Sequence, residues 1–340
     1  MRKSLIKLTT ALVTVAAIAF GFSGCGKKND GPLTKVKLNE VTRSIFYAPM
    51  YAAINQGFFK EEGLEIDLST GGGADKTMQQ LLSGNVDIGF SGPEQVLYVY
   101  NQQRENYPIV FAQLTQKDGS FLVSRTVESN FAWESLKGKT IIGGRPGGVP
   151  EMALEYVLKN HGIDKNKDLK LITNISFETV PAAFKGGTGD YAAIFEPTAS
   201  TIVKAQGGSL AASVGAAAGN LPYTCFYTTK NYMDKNSDII DKFTRAIYKG
   251  QLWVQKNTNE DIAKAIKSFF PGTDEAMVVQ VIKNYKAIDA YAKDPILKEE
   301  NLNRLMDIIQ SYDSNLLKTR PEYSKVVNNT FVDKAIKNVK

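Results

Sequence analysis

The chain has 340 residues and a formal charge of +6, from 41 Lys and Arg against 35 Asp and Glu. That length suits two domains of about 100–200 residues. No Lys/Arg-dense run interleaved with aromatics occurs, which argues against nucleic acid, and two cysteines leave no room for a disulfide framework or a Cys-based metal site.

Arg2, Lys3 and Lys7 precede an apolar stretch from Ala11 to Phe22, and the small residues Ser23 and Gly24 precede Cys25. This is the pattern of a secretory signal, too short to be a stable membrane span. The Ser23-Gly24-Cys25 ending resembles the lipobox of bacterial lipoproteins, although Phe22 stands where leucine is commoner. The resemblance implies that residues 1–24 are removed, that Cys25 carries lipid, and that the protein is extracytoplasmic and anchored to the bacterial cell membrane. An ordinary secretory signal with an incidental cysteine is the alternative. Losing Arg2, Lys3 and Lys7 would leave 316 residues with a balance of +3, so the basicity belongs partly to the export signal. Residues 25–34 are too poor in apolar side chains to pack and read as a tether. Cys225, in Tyr223-Thr224-Cys225-Phe226-Tyr227, reads as a buried inert thiol on a strand.

From Lys35 onward strands and helices alternate. Lys35–Val41 and Leu64–Leu68 alternate apolar and polar residues and read as strands. Helices are expected from about Pro49 to Lys60 and from Asp75 to Ser83. The stretch Val86-Asp87-Ile88-Gly89-Phe90-Ser91-Gly92-Pro93 is a strand ending in a sharp turn, with Pro93 placed to start a helix. Ile109–Leu114 and Phe121–Ser124 are further strands, separated by the turn Lys117-Asp118-Gly119. Leu136 to Gly143 opens a second series, in which Gly144–Pro150 joins a strand to a helix ending near Asn160. A strand (169–175), a helix (178–185), a strand (191–195) and a helix from Pro197 follow, and Tyr223–Thr228 is again extended. From Asp238 helical periodicity takes over: Ile239–Lys256, Asn259–Phe269, Asp274–Ile288 and Leu302–Tyr312. The alternation predicts an α/β fold with largely parallel sheets. It divides into a discontinuous first lobe (35–118 plus 229–340, with the helical part) and a second lobe (119–228).

Three separate segments resemble one family. Ser44–Ala53 followed by Gly57-Phe58-Phe59-Lys60-Glu61-Glu62-Gly63-Leu64 is similar to the opening of the nitrate/sulfonate/taurine/thiamine-pyrimidine (SsuA/THI5-like) solute-binding proteins of ABC importers. Leu82–Gly89 resembles the next signature, and Phe195-Glu196-Pro197 the later Glu-Pro turn. The similarity runs through most of residues 36–256 and is loose in the helical tail. It implies a two-lobed periplasmic-binding-protein fold (type II) that captures a small-molecule ligand and passes it to a permease and its ATPase. A monomer suffices for that role, and no cofactor or metal is implied.

The candidate ligand-binding residues follow from the strand-to-helix turns, where ligands bind in open α/β sheets. Ser91 and Gly92 at one turn, and Gly147, Gly148 and Val149 at another, could offer backbone N–H groups; each could equally serve its own loop as a cap or a turn. Arg43 and Arg145 could pair with an anion or face solvent. Ser44, Phe46 and Tyr47 lie on the first strand-to-helix loop, where two aromatics could sandwich a flat ring or pack on the helix. Glu196 could accept from a ligand amine or act as a helix N-terminal acid. Tyr223 is a possible cleft wall, and Asn220 a weaker one. The aromatics and the acid favour a pyrimidine-like heterocycle, with sulfonate, taurine or nitrate as the alternative ligands and an extracytoplasmic sensor subunit as the alternative role.

Other chemistries fail. Gly138-Lys139-Thr140 lacks the earlier glycine of a phosphate loop, with Trp133 in its place, and a strand rather than a helix follows. His161, the only histidine, sits at an expected helix end, so zinc and Ser-His-Asp sites have no basis. Fungal thiamine-pyrimidine synthases share the resembled fold but rely on a cysteine-rich iron motif and an active-site His, neither of which has a counterpart here. The chain therefore reads as a non-enzyme.

Overall fold

The computed structural model describes residues 31–175 and 179–339. The expected signal peptide and Cys25 lie outside them. In the first lobe, β1 (Thr34–Glu40) buries Val36 and Leu38 on its alternating face and begins within the expected tether. A 3-10 turn at Ile45–Tyr47 leads into α1 (Ala48–Asn55) and α2 (Phe58–Glu61), then β2 (Leu64–Thr70), α3 (Ala74–Leu82), β3 (Ile88–Ser91), α4 (Glu94–Tyr100) and β4 (Pro108–Thr115). Proline in the first turn of α1 suits a position whose N–H needs no partner. After Gln116–Gly119 the second lobe is built from β5 (Ser120–Ser124), β6 (Thr140–Ile142), α5 (Val149–Asn160), β7 (Lys170–Ile172), α6 (Val180–Lys185), β8 (Tyr191–Phe195), α7 (Thr198–Gln206), β9 (Ser209–Ser213) and α8 (Val214–Ala218).

The chain then returns through 219–223 to β10 (Thr224–Thr229), which pairs in the first sheet between β3 and β4. The expected boundary at 229 is thus corrected to about 223: β10 is a first-lobe strand, with Cys225 buried in it. The sheet orders are β2-β1-β3-β10-β4 and β7-β6-β8-β5-β9. Each is mixed rather than largely parallel, because each lobe contains one strand that arrives from the other. β10 runs antiparallel to β3 and β4, and β5 runs antiparallel to β8 and β9. β3 and β5 are buried along their whole length, as strands covered on both faces must be.

The rest is helical: α9 (Lys230–Lys235), α10 (Ser237–Lys256), α11 (Asn259–Ile266), α12 (Glu275–Ala287), α13 (Glu299–Tyr312), α14 (Tyr323–Val326) and α15 (Thr330–Asn338). α10 crosses α1 closely enough that a Cβ on Gly250 would lie 2.4 Å from the Pro49 carbonyl oxygen. α13 departs from the expectation that the tail belongs to the first lobe. It packs on α5 of the second lobe, where Lys159 donates to the Ser311 hydroxyl (2.9 Å) and Lys165 sits over the Tyr312 ring. His161 is the C-cap of α5, stacked on Trp133. Among the described residues no helix is long and apolar enough to cross a membrane, and no three His, Cys, Asp or Glu side chains form a metal-binding group.

Candidate binding site between the lobes

The β-sheet register assembles the site. β10 lies between β3 and β4, with Cys225 opposite Ser91 and Thr224 opposite Thr115. Three residues past Ser91 the chain reaches Glu94, three past Thr115 it reaches Asp118, and Tyr223 immediately precedes β10. All three therefore emerge at one end of the sheet, where the crossovers to the second lobe begin. The second lobe meets this end from the other side. Tyr98 on α4 donates to the Gly147 carbonyl (3.3 Å), and Arg145 pairs with Asp75 in the first turn of α3 (3.1 Å).

The floor is aromatic. The Phe46 ring lies 4.6 Å from Tyr285, 5.7 Å from Tyr223, 5.8 Å from Tyr47 and 6.5 Å from Phe195, centre to centre. Gly119 on the first crossover is held between two of these rings: a Cβ there would come within 2.8 Å of Phe46 and 3.0 Å of Phe195. Tyr47 packs edge-on against Phe90 at 4.7 Å.

The walls are acidic. Glu94 is 2% exposed and begins α4. Its Oε1 accepts a long bond from Gln95 (3.4 Å), its carboxylate also takes its own backbone N–H, and Oε2 has no partner. Burial pushes its carboxyl up to about 7, against a weaker pull from Arg145. Asp118 is fully buried, accepts from the backbone N–H of Ser120 (2.7 Å) and from the Ser120 hydroxyl, and is pushed up to about 6 by burial. The Tyr223 hydroxyl lies against it, yet Oδ2 has no hydrogen bond of standard geometry. Burial also drives the Tyr223 phenol up, reinforced by the charges of Asp118 and Glu94. In the second lobe Glu151, in the first turn of α5, takes the Gly144 N–H (2.6 Å) and is pushed up to about 8 by burial and by Glu155.

The sequence-predicted residues divide. Phe46, Tyr47 and Tyr223 form part of the aromatic floor, Ser91 and Gly92 lie at the end of β3, and Gly147 meets Tyr98 across the lobes, with Gly148 and Val149 opening α5 beside it. Phe46 and Ser91 are wholly buried, and the Ser91 hydroxyl is 2.6 Å from that of Tyr227. Ser44 caps its own turn by accepting from the Phe46 N–H (3.2 Å). Arg43 pairs with Glu40 at 2.6 Å, and Arg145 is held by Asp75, so neither guanidinium is unpaired. Glu196 spends both oxygens within the protein: Oε2 takes the Ser200 N–H, and Oε1 takes the Ser200 hydroxyl and the Asn284 amide (2.6 Å). Glu94 and Asp118, not singled out as ligand contacts from the sequence, supply the unpartnered acceptors instead. A hollow of about 400 Å³ between α5 and α13 contains none of the sequence-predicted residues.

Three comparisons bear on this arrangement. The model of the NMT1/THI5-like family matches residues 45–261. A Bacillus subtilis (strain 168) protein named "Putative binding protein YtlA" is 44% identical over 329 residues, 97% of each chain. Among solved structures, the alkanesulfonate-binding protein SsuA from Xanthomonas axonopodis pv. citri, bound to MOPS, is similar with a TM-score of 0.69 at 15% identity, covering 88% of this chain and 100% of its own. The periplasmic nitrate-binding protein NrtA from Synechocystis PCC 6803 reaches 0.67 at 15% identity, covering 91% and 89%.

Proposed function

The chain belongs to the NMT1/THI5-like family, and from that premise we propose that it is the extracytoplasmic solute-binding component of an ABC importer, tethered by lipid on Cys25 and closing its lobes on a small molecule. One observation carries the reading: two α/β lobes are joined by crossovers at 116–119 and 219–223 and meet through Tyr98–Gly147 and Arg145–Asp75. A ligand that touched both lobes would shift the equilibrium between open and closed forms. The solute delivered to the permease is a flat heterocycle, held against the aromatic floor of Phe46, Tyr47, Phe195 and Tyr223. A sulfonate or nitrate finds less support. The start of α4 is occupied by the carboxylate of Glu94, and Arg43 and Arg145 are committed to Glu40 and Asp75.

The test is made in the source bacterium. Deleting the gene abolishes high-affinity uptake of the solute recovered from the purified protein by mass spectrometry. Cys25→Ser moves the protein from the membrane fraction to the soluble fraction and abolishes labelling with a palmitate analogue. Unchanged uptake in the deletion strain would remove the importer role, and unchanged membrane association of the variant would remove the anchor.

A further inference from the structure

We propose that the ligand carries a planar, positively charged head bearing N–H groups, of the amidinium, guanidinium or protonated aminoheterocycle class, which bridges Glu94 and Asp118 and donates a hydrogen bond to the unpartnered oxygen of each. This rests on the receptor reading and specifies what the receptor takes.

Both carboxylates are buried, Glu94 to 2% exposure and Asp118 to none; Glu94 Oε2 has no partner, and Asp118 Oδ2 has no hydrogen bond of standard geometry, with only the Tyr223 hydroxyl lying against the carboxylate. Buried polar atoms almost always find partners; among the described residues Gln113, Glu151, Asp241 and Gln251 also leave one oxygen open, but Glu94 and Asp118 are the two acids that both act on Tyr223. Among the described residues no Lys, Arg or His forms an ion pair with either acid. Arg145 acts on Glu94 only at a distance and is tied to Asp75. Glu40 shows how the fold treats a buried acid that is purely structural. It is saturated, taking Arg43 and Thr70 on Oε1 and Tyr51 on Oε2. Glu196 is saturated likewise. Glu94 and Asp118 are not, and the register sets them on either side of Tyr223, whose hydroxyl feels both charges. A cationic head supplies what is missing: charge to compensate two desolvated carboxylates, and N–H donors for two open acceptors. The ring behind the head lies on the aromatic floor, where a planar cation gains further from the π faces. An anionic head would meet two buried acids and no unpaired cation.

Three probes share one ring and differ in the head: benzamidine (cation), benzamide (neutral) and benzenesulfonate (anion). Thermal shift and calorimetric titration are run at pH 7.5 on the mature chain and on Glu94→Gln and Asp118→Asn. Benzamidine raises the wild-type melting temperature by several degrees at saturation, and the other two probes do not. Each variant weakens benzamidine at least tenfold while melting no lower than wild type without ligand, because an amide replaces an uncompensated buried carboxyl. A structural role for the acids would instead lower the unliganded melting temperature and leave probe affinity unchanged, and that result overturns the proposal. So does a shift with benzenesulfonate, or no shift with benzamidine. Uptake by the deletion strain, read separately, decides the receptor role whichever probe binds.

Discussion

Glu94 and Asp118 make the free protein sensitive to pH in a direction that can be stated in advance. Burial raises both carboxyls, from 4.5 to about 7 and from 3.8 to about 6, and Glu151 rises to about 8. A raised acid binds protons more tightly folded than unfolded, so its stabilising contribution is full below the unfolded value and is lost as pH climbs through the folded one. The unliganded melting temperature therefore falls between pH 5 and 8. Glu94→Gln flattens part of that slope, because the amide does not titrate; a chemical-denaturation series across pH measures it. Binding of a cation runs the other way and tightens as pH rises through 6 to 7. The groups that lower Glu94 (its own backbone N–H, Gln95 and Arg145) and Asp118 (Ser120 and Tyr223) are too weak to cancel the effect of burial, and the charge of Asp75 adds to it on Glu94. These two acids were hard to see in the sequence for a physical reason. An acid in a first helical turn reads as a complement to the helix dipole, and Asp before Gly reads as turn chemistry. Glu196 looked more promising beside Pro197, but Ser200, one helical turn later, and Asn284 on α12 take its oxygens. Local sequence gives no sign of a partner 88 residues away.

At the scale of elements, periodic stretches were legible and pairing was not. α10, α12 and α13 lie within a residue or three of their expected bounds, because long amphipathic runs state their own period. β10 reads as extended from sequence but belongs to the other lobe than its place in the chain suggests, since a six-residue strand, half of it threonine, carries no mark of which sheet will take it. The crossover strand β5 likewise gives no local sign that it will run antiparallel to β8 and β9. The crossover that leads from β4 into β5 ends at Gly119, pressed between Phe46 and Phe195. Gly119→Ala puts a methyl 2.8 Å from a fully buried ring, and overpacking of this kind costs about 1–3 kcal/mol. Adding Phe46→Leu, which vacates space on that side, recovers part of the loss. Urea unfolding of the two single variants and the double variant gives the coupling, and strict additivity would show that the two positions do not touch in solution.

For the whole molecule, the question is what holds the lobes together before a ligand arrives. The Arg145–Asp75 pair spans them but is half exposed on both sides, 53% and 54%. Such pairs are worth about 0–1 kcal/mol and weaken in salt. The helical tail reaches across more firmly. α12 starts from the first lobe, yet its Asn284 donates to Glu196 at 2.6 Å, and the Tyr285 hydroxyl lies 3.3 Å from the Glu196 backbone nitrogen. One helix later α13 lies along α5, with Lys159 bound to Ser311. Opening the lobes must carry this tail with the second lobe or break buried contacts, whereas the ion pair can dissolve into water at little cost. Arg145→Ala accordingly leaves the radius of gyration of the free protein unchanged in small-angle X-ray scattering and shifts stability by less than about 1 kcal/mol. Asn284→Ala leaves Glu196 Oε1 with Ser200 alone and increases the radius of gyration, because the partly buried interlobe bond is lost while the exposed one remains. Expansion in Arg145→Ala with none in Asn284→Ala would make the ion pair the latch and reduce the tail to packing.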